Sequence, residues 1–284
     1  MRTPNWLGDC VMALESIAGI LKKHGGTALW CHPRVMGLFA FFFPETALIP
    51  LGARVPRFKR LLLMTSSFRS AYLGALTGIP ERTGYSRGVG SVFLTDVIPF
   101  HDDRSRHHSL AYETLAMAVG CAPVPITRPI PAPEEHLAVF AGARYGSAKR
   151  WNGFPEAVNL LGMPSVFYGT GEEKAELARM ANLCGGRCET GLSLPDLAHR
   201  LLTARACVGN DSGGVHLAAV LSVPTVAVFC STSPFWTGPR GSRTGSVVTR
   251  AGCSPCFRRK CGSKNWSCTR DITPFDVAEA VRDV

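Results

Sequence analysis

The sequence predicts an α/β protein made of two doubly wound halves, each built on a mostly parallel sheet. Two observations carry that prediction. Short apolar runs without polar alternation recur along the chain, as parallel strands covered on both faces require. Segments with apolar residues at helical spacing lie between them, and strand alternating with helix means βαβ units. A proline-rich break near the middle then divides the pattern in two.

In chain order, Val11, Leu14, Ile17, Ala18 and Leu21 give the first helix, and Thr27–Cys31 the strand after it. Arg60–Met64 reads as a second strand of this half. From Cys121 to Pro133 the chain carries five prolines in thirteen residues, which removes backbone donors and disfavours helix, so it reads as an extended linker. The expected domains are therefore 1–129 and 130–284. In the second, Leu137–Phe140, Ser165–Tyr168, Ala206–Val208 and Thr225–Phe229 read as buried strands. Residues 171–184 and 212–221 read as helices.

Composition bounds what such a protein does. With 284 residues, 46% hydrophobic and 18% charged, the chain is globular rather than disordered. Its longest apolar run, Leu38–Phe43, ends at Pro44, well short of the roughly 20 residues that span a bilayer. No secretory signal pattern opens the chain, so a cytoplasmic protein is expected. The net charge of +10 favours an anionic partner, whether nucleic acid, an acidic membrane surface or a phosphorylated small molecule. Eleven cysteines, an odd number without a signal peptide, argue against a disulfide framework.

Four segments carry candidate chemistry. In Pro4-Asn5-Trp6-Leu7-Gly8-Asp9, the aspartate falls at or near the start of the first helix. It is either a plain N-cap or a carboxylate able to take a proton from a hydroxyl. Tyr145-Gly146-Ser147-Ala148-Lys149-Arg150 joins small residues to two cations after the strand that opens the second half, an arrangement suited to a diphosphate. Asn210-Asp211-Ser212-Gly213-Gly214-Val215-His216 places small residues at a helix start, where free N–H groups and the helix dipole attract phosphate. His216 there is either structural or a ligand contact. The loop Cys230-Ser231-Thr232-Ser233-Pro234 follows the next strand and can close over the same crevice.

The fourth segment holds Cys253, Cys256, Cys261 and Cys268, four thiols in sixteen residues. They have the number for tetrahedral zinc but not the paired-knuckle spacing of a zinc ribbon, and free thiols are the preferred reading. No two aspartates in the chain are separated by a single residue, so a metal-holding Asp-x-Asp pair is absent. No metal site is expected, and a diphosphate would be stabilised by N–H groups, Lys and Arg.

Taken together, these stretches resemble the ADP-heptose:lipopolysaccharide heptosyltransferases of glycosyltransferase family 9, and within them the heptosyltransferase II branch. The carrying residues are Pro4–Asp9, Ser67–Ser70, Arg82–Tyr85, Leu94–Asp96, Ala148–Trp151, Asn210–Gly213 with His216–Ala219, Ser231–Pro234 with Trp236–Pro239, and Cys253–Phe257. They occur in the family's order across most of the chain.

The resemblance implies a GT-B fold: two facing Rossmann-like domains, the first for the lipopolysaccharide core and lipid A acceptor, the second for the nucleotide-sugar. It implies metal-independent, inverting transfer from ADP-heptose, with no cofactor and no nucleic-acid partner, at the inner face of the cytoplasmic membrane. Asp9 matches the catalytic base and Lys149 the lysine that neutralises the diphosphate. Asn5, Gly8, Ser147, Arg150, Asn210, Asp211, Ser212, Gly213, Gly214 and His216 fall in substrate-binding stretches, with Glu172 or Glu173 near the ribose.

The chain departs from the family in three places. The strand that usually precedes Arg2 is missing, which would leave its neighbours in the sheet unpaired. The linker is short, and Ser263-Lys264-Asn265-Trp266 replaces a usual Gly-His. The alternatives are a transferase of the same fold with another donor or acceptor, and a nucleotide-sugar-binding protein with impaired catalysis. The last helix is further expected to be able to pack back on the first domain.

Overall fold

The computed structural model describes residues 1–86, 88–100, 102–126, 132 and 136–284. Most of the proline-rich linker lies outside them. The chain forms two compact units, Met1–Thr127 and Arg128–Val284. Among the described residues no helix is long and apolar enough to cross a membrane.

The first unit runs α1 (Leu7–Lys23), β1 (Leu29–Cys31), α2 (Pro33–Phe42), β2 (Leu48–Pro50), β3 (Arg60–Leu63), α3 (Phe68–Leu76), β4 (Glu81–Ser86), β5 (Asp96–Pro99) and α4 (Ser109–Ala118). β1 pairs with β2, and β3, β4 and β5 pair in that order, all parallel. Arg2 bridges these two groups, pairing with Trp30 on one side and Leu63 on the other. Trp30 N–H donates to Met1 O and Thr3 N–H to Trp30 O, while Arg2 N–H donates to Leu62 O and Met64 N–H to Arg2 O. The expectation of unpaired neighbours is therefore corrected at this end of the sheet: three residues supply the bonds a strand would supply. α1 buries the stripe Cys10, Val11, Leu14, Ile17 and Ile20, carries Lys22 and Lys23 in its last turn as the helix dipole favours, and packs on α4.

The second unit contains β6 (Leu137–Phe140), α5 (Phe154–Leu161), β7 (Ser165–Gly169), α6 (Lys174–Leu183), β8 (Arg187–Thr190), α7 (Leu194–Leu202), β9 (Ala206–Asn210) and α8 (Gly213–Val220). It continues with β10 (Thr225–Phe229), α9 (Pro234–Thr237), β11 (Thr244–Val248), α10 (Ser267–Arg270) and α11 (Pro274–Asp283). Six parallel strands lie in the order β11-β10-β9-β6-β7-β8. From β6 the chain winds outward through β7 and β8, then returns beside β6 as β9 and winds the other way. The carboxyl ends of β6 and β9 are thus the switch point, where open α/β sheets leave a crevice for ligands. The core joins Leu137, Val139, Phe167, Val208, Val226 and Val228 of the strands to Trp151, Phe154 and Val277. The last helix, α11, starts on a Thr273–Asp276 capping box and packs on α5, β9, β10 and β11 of its own unit.

Candidate active site

At the switch point of the second unit, the residues after β6 and β9 meet. Ser147–Lys149 forms one 3-10 turn, and Asp211 directly follows β9. Lys149 Nζ donates to Asp211 Oδ2 at 2.5 Å and to the Asp211 carbonyl at 3.4 Å. Thr232 Oγ1 and Thr237 Oγ1 donate to the same carboxylate oxygen at 2.7 and 3.0 Å. His216 Nε2 lies 3.9 Å from the other oxygen, Oδ1. Asp211, Lys149, His216, Thr232 and Thr237 are all buried. Burial is the largest single influence on the Asp211 carboxyl and would raise its pKa, but His216 and Lys149 together outweigh it and hold the group well below the usual carboxylate range.

Asn210 stitches the two loops together. Its Oδ1 accepts from Trp151 N–H at 2.9 Å and its Nδ2 donates to Ala141 O at 2.6 Å. Both ends of the amide are engaged and the residue is fully buried, so Asn210 acts by holding the loops in place. Beside it, α8 begins at Ser212, whose side chain makes no cap, followed by Gly213 and Gly214. The N–H groups of that first turn need a partner from outside the helix, which an anion can supply. Gly214 has a packing reason too: a Cβ there would lie 2.3 Å from the Phe140 ring.

The remaining expected residues of this half are more dispersed. Arg150 is turned to α6, where Nη1 pairs with Glu176 Oε2 at 2.7 Å. Ser147 is exposed on its turn. Glu173 Oε2 caps Thr170, accepting from its N–H at 2.9 Å and its hydroxyl at 2.8 Å. Its other oxygen stands against Gly142, where a Cβ would lie 2.1 Å away, so the carboxylate sits at the carboxyl end of β6. Glu172 is exposed, with Oε2 3.9 Å from Arg144 Nη2.

Sequence reasoning missed the partners that frame Lys149. The Tyr145 ring lies 4.9 Å from Nζ and 5.3 Å from the Arg259 guanidinium. Tyr145 Oη donates to Phe257 O, Ala148 N–H to Arg259 O, Phe257 N–H to Ser231 O and Ser254 Oγ to Cys230 O. The cysteine-bearing segment thus straps the Lys149 loop to the Thr232 loop through its backbone and the Ser254 hydroxyl. Its cysteines are free thiols, with Cys253 and Cys256 exposed and Cys268 buried. Among the described residues no three His, Cys, Asp or Glu side chains are grouped to hold a metal ion. The loop after β10 signalled Thr232 in the sequence, and Tyr145 stood at the head of the candidate diphosphate segment; nothing signalled Arg259 or the contacts of Tyr145 with Phe257 and Arg259, which join residues over a hundred positions apart.

In the first unit, Trp6 is the N-cap of α1 and provides no side-chain cap; Gly8 and Asp9 are the second and third helical residues. Asp9 Oδ1 lies 3.8 Å from His108 Nε2, and Tyr112 Oη lies 3.4 Å from the same nitrogen. Burial, and next to it the charge of Asp9, push the Tyr112 hydroxyl far above its ordinary pKa, so it stays neutral. Asn5 is oriented from behind: Arg2, itself buried, donates through Nη2 to Asn5 Oδ1 at 2.7 Å and through Nη1 to the carbonyls of Thr3 and Trp30.

The whole chain shares the GT-B fold of glycosyltransferases. It superposes on the structure of E. coli ADP-heptose lps heptosyltransferase II with a TM-score of 0.80 at 21% identity, covering 99% of this chain and 96% of that one. A glycosyl transferase family 9 structure from Veillonella parvula gives a TM-score of 0.79 at 16% identity, covering 99% and 95%. Residues 53–267 match the sequence model of glycosyltransferase family 9 (heptosyltransferase), and the chain belongs to that family. Lipopolysaccharide heptosyltransferase 2 of Escherichia coli K12 is 25% identical to it over 97% of this chain and 95% of its own length.

Proposed function

We propose that this glycosyltransferase moves a heptose from ADP-L-glycero-D-manno-heptose to the inner core of lipopolysaccharide, with inversion and without a metal ion. The observation that carries the reading is the Lys149–Asp211–His216 cluster at the switch point of the second unit, beside the uncapped start of α8. The relatives named lipopolysaccharide heptosyltransferase 2 support the heptose and the acceptor, and the E. coli structure named for ADP-heptose supports the donor.

In this reading the second unit holds the donor. Ser212, Gly213 and Gly214 meet the diphosphate through the first turn of α8. Lys149, fixed by Asp211, offers its remaining N–H, and Ser147 borders the same crevice. Glu173, rather than Glu172, takes the ribose hydroxyls through Oε1. Asn210 and Arg150 act on the shape of the loops. In the first unit, Gly8 and Asn5 border the acceptor and Asp9 is the base. Its carboxylate takes the proton of the acceptor hydroxyl as that oxygen bonds to C1 of the heptose. The bond from C1 to the diphosphate breaks, and ADP leaves with the electron pair. The enzyme works as a peripheral protein at the cytoplasmic face of the inner membrane, where its acceptor resides.

The test is ADP release from ADP-heptose and core-truncated lipopolysaccharide in the presence of EDTA. Asp9→Ala is expected to lower turnover by about 10²–10⁴-fold while ADP still binds. Wild-type turnover in that variant would remove Asp9 from the mechanism. Preference for another nucleotide-sugar in a donor panel would overturn the heptose.

A further inference from the structure

We propose that the outer face of α3, with the adjoining turn Gly88–Phe93, docks on an anionic phospholipid surface. α3 packs inward through Ser70, Ala71 and Gly74. Its opposite stripe at i, i+4 and i+8 consists of Phe68, Tyr72 and Leu76, exposed by 51%, 43% and 65%. The turn adds Val89 and Val92, exposed by 73% and 75%. Phe68 stacks on Tyr72 at 6.3 Å, and Phe93 meets each ring edge-on at 5.4 Å, so the two elements form one apolar surface. Soluble proteins rarely leave so many large apolar side chains together in water without a use for them.

The charge around that surface selects the partner. Arg54, Arg57, Lys59 and Arg69 are exposed, and the sequence has no acidic residue between Glu45 and Glu81; the Glu81 carboxylate is taken up by Arg60, whose Nε donates to Oε2 at 2.6 Å. Val55 and Phe58, which alternate with these cations, pack into the same core cluster as Leu73 of α3 and Phe93 of the turn. The basic segment therefore lies on the same side of the sheet as the apolar face. Apolar side chains that enter the headgroup region, flanked by cations for lipid phosphates, make up the two signals that stable peripheral binding needs. The inference rests on the proposed function only for its purpose, since a lipid-linked acceptor must be met at a bilayer; vesicle binding is measured without turnover.

The full chain is sedimented with vesicles of phosphatidylcholine alone and with vesicles that also contain phosphatidylglycerol. Binding is expected to be at least tenfold stronger with phosphatidylglycerol. Val89→Ser with Val92→Ser, and separately Arg54→Glu with Arg57→Glu, are each expected to weaken it about tenfold or more, each cation near an anionic surface counting for roughly fivefold. ADP binding is unchanged in both, which separates lost docking from lost folding. Binding indifferent to phosphatidylglycerol, or unaltered by both variants, overturns the proposal. So does a wild-type dimer that the valine variant converts to monomers, because a second copy then covers the face. Failure of ADP to bind the wild-type chain would instead sink the donor reading and leave this one standing.

Discussion

Asp211 is ionised in a buried place because three donors converge on one of its oxygens and a histidine stands near the other. Breaking such a pair costs about 3–5 kcal/mol, since the surviving charge is left buried without compensation. Asp211→Asn should therefore destabilise the protein by that order near neutral pH, measured by urea unfolding. Its pH dependence follows from the depressed carboxyl. The stabilisation is complete above the unfolded value of about 3.9 and is lost as pH falls through the lower native value. Wild type and Asp211→Asn should accordingly converge in melting temperature on acidification below that range, while a constant gap would mean that ionisation is not what stabilises the site. Lys149→Met alone should cost a similar amount, but Lys149→Met with Asp211→Leu should cost much less than the sum, because no unpaired charge remains. Residue types and spacing made Lys149, Asp211 and His216 legible in the sequence. They did not show that Lys149 would be held by Asp211, because that contact spans 62 positions.

At the level of elements, the strands legible in the sequence were those buried on both faces. β6, β9 and β10 are buried throughout and read as unbroken apolar runs. β8 and β11 lie at sheet edges, are only partly buried, and carry sequences such as Arg187-Cys-Glu-Thr190 that have no apolar run to find. β4 was hidden for another reason: it pairs on both sides through a polar sequence, with Gly84 close against Leu63. α8 is buried nearly all round, so its position depends on contacts on every face. Gly214→Ala would raise intrinsic helix propensity by about 1 kcal/mol. The clash of the new methyl with the Phe140 ring should reverse the sign, giving a net loss of roughly 1–3 kcal/mol and weaker ADP binding as the helix start moves. A more stable Gly214→Ala protein would show that the ring can yield and that the glycine is retained for the ligand alone.

For the molecule as a whole, the division into two units has a consequence for the proposed donor site. Every side chain of the Asp211 cluster, the strap over Tyr145 and the Glu173 carboxylate belong to Arg128–Val284, which also has its own six-stranded sheet and core. A unit with a complete core can fold by itself. Residues 128–284 produced alone should therefore unfold in one cooperative transition and bind ADP with an affinity close to that of the full chain. They should release no ADP from the nucleotide-sugar when acceptor is added, since Asp9 lies in the other unit. Calorimetric titration of the fragment beside the full chain makes the comparison. A folded fragment that fails to bind ADP would move an essential part of the nucleotide site into Met1–Thr127, and the self-contained pocket built on Lys149 and the start of α8 would be refuted. ADP binding retained in the fragment but lost on Lys149→Met would tie the diphosphate to that pocket, with no contribution from Asp9.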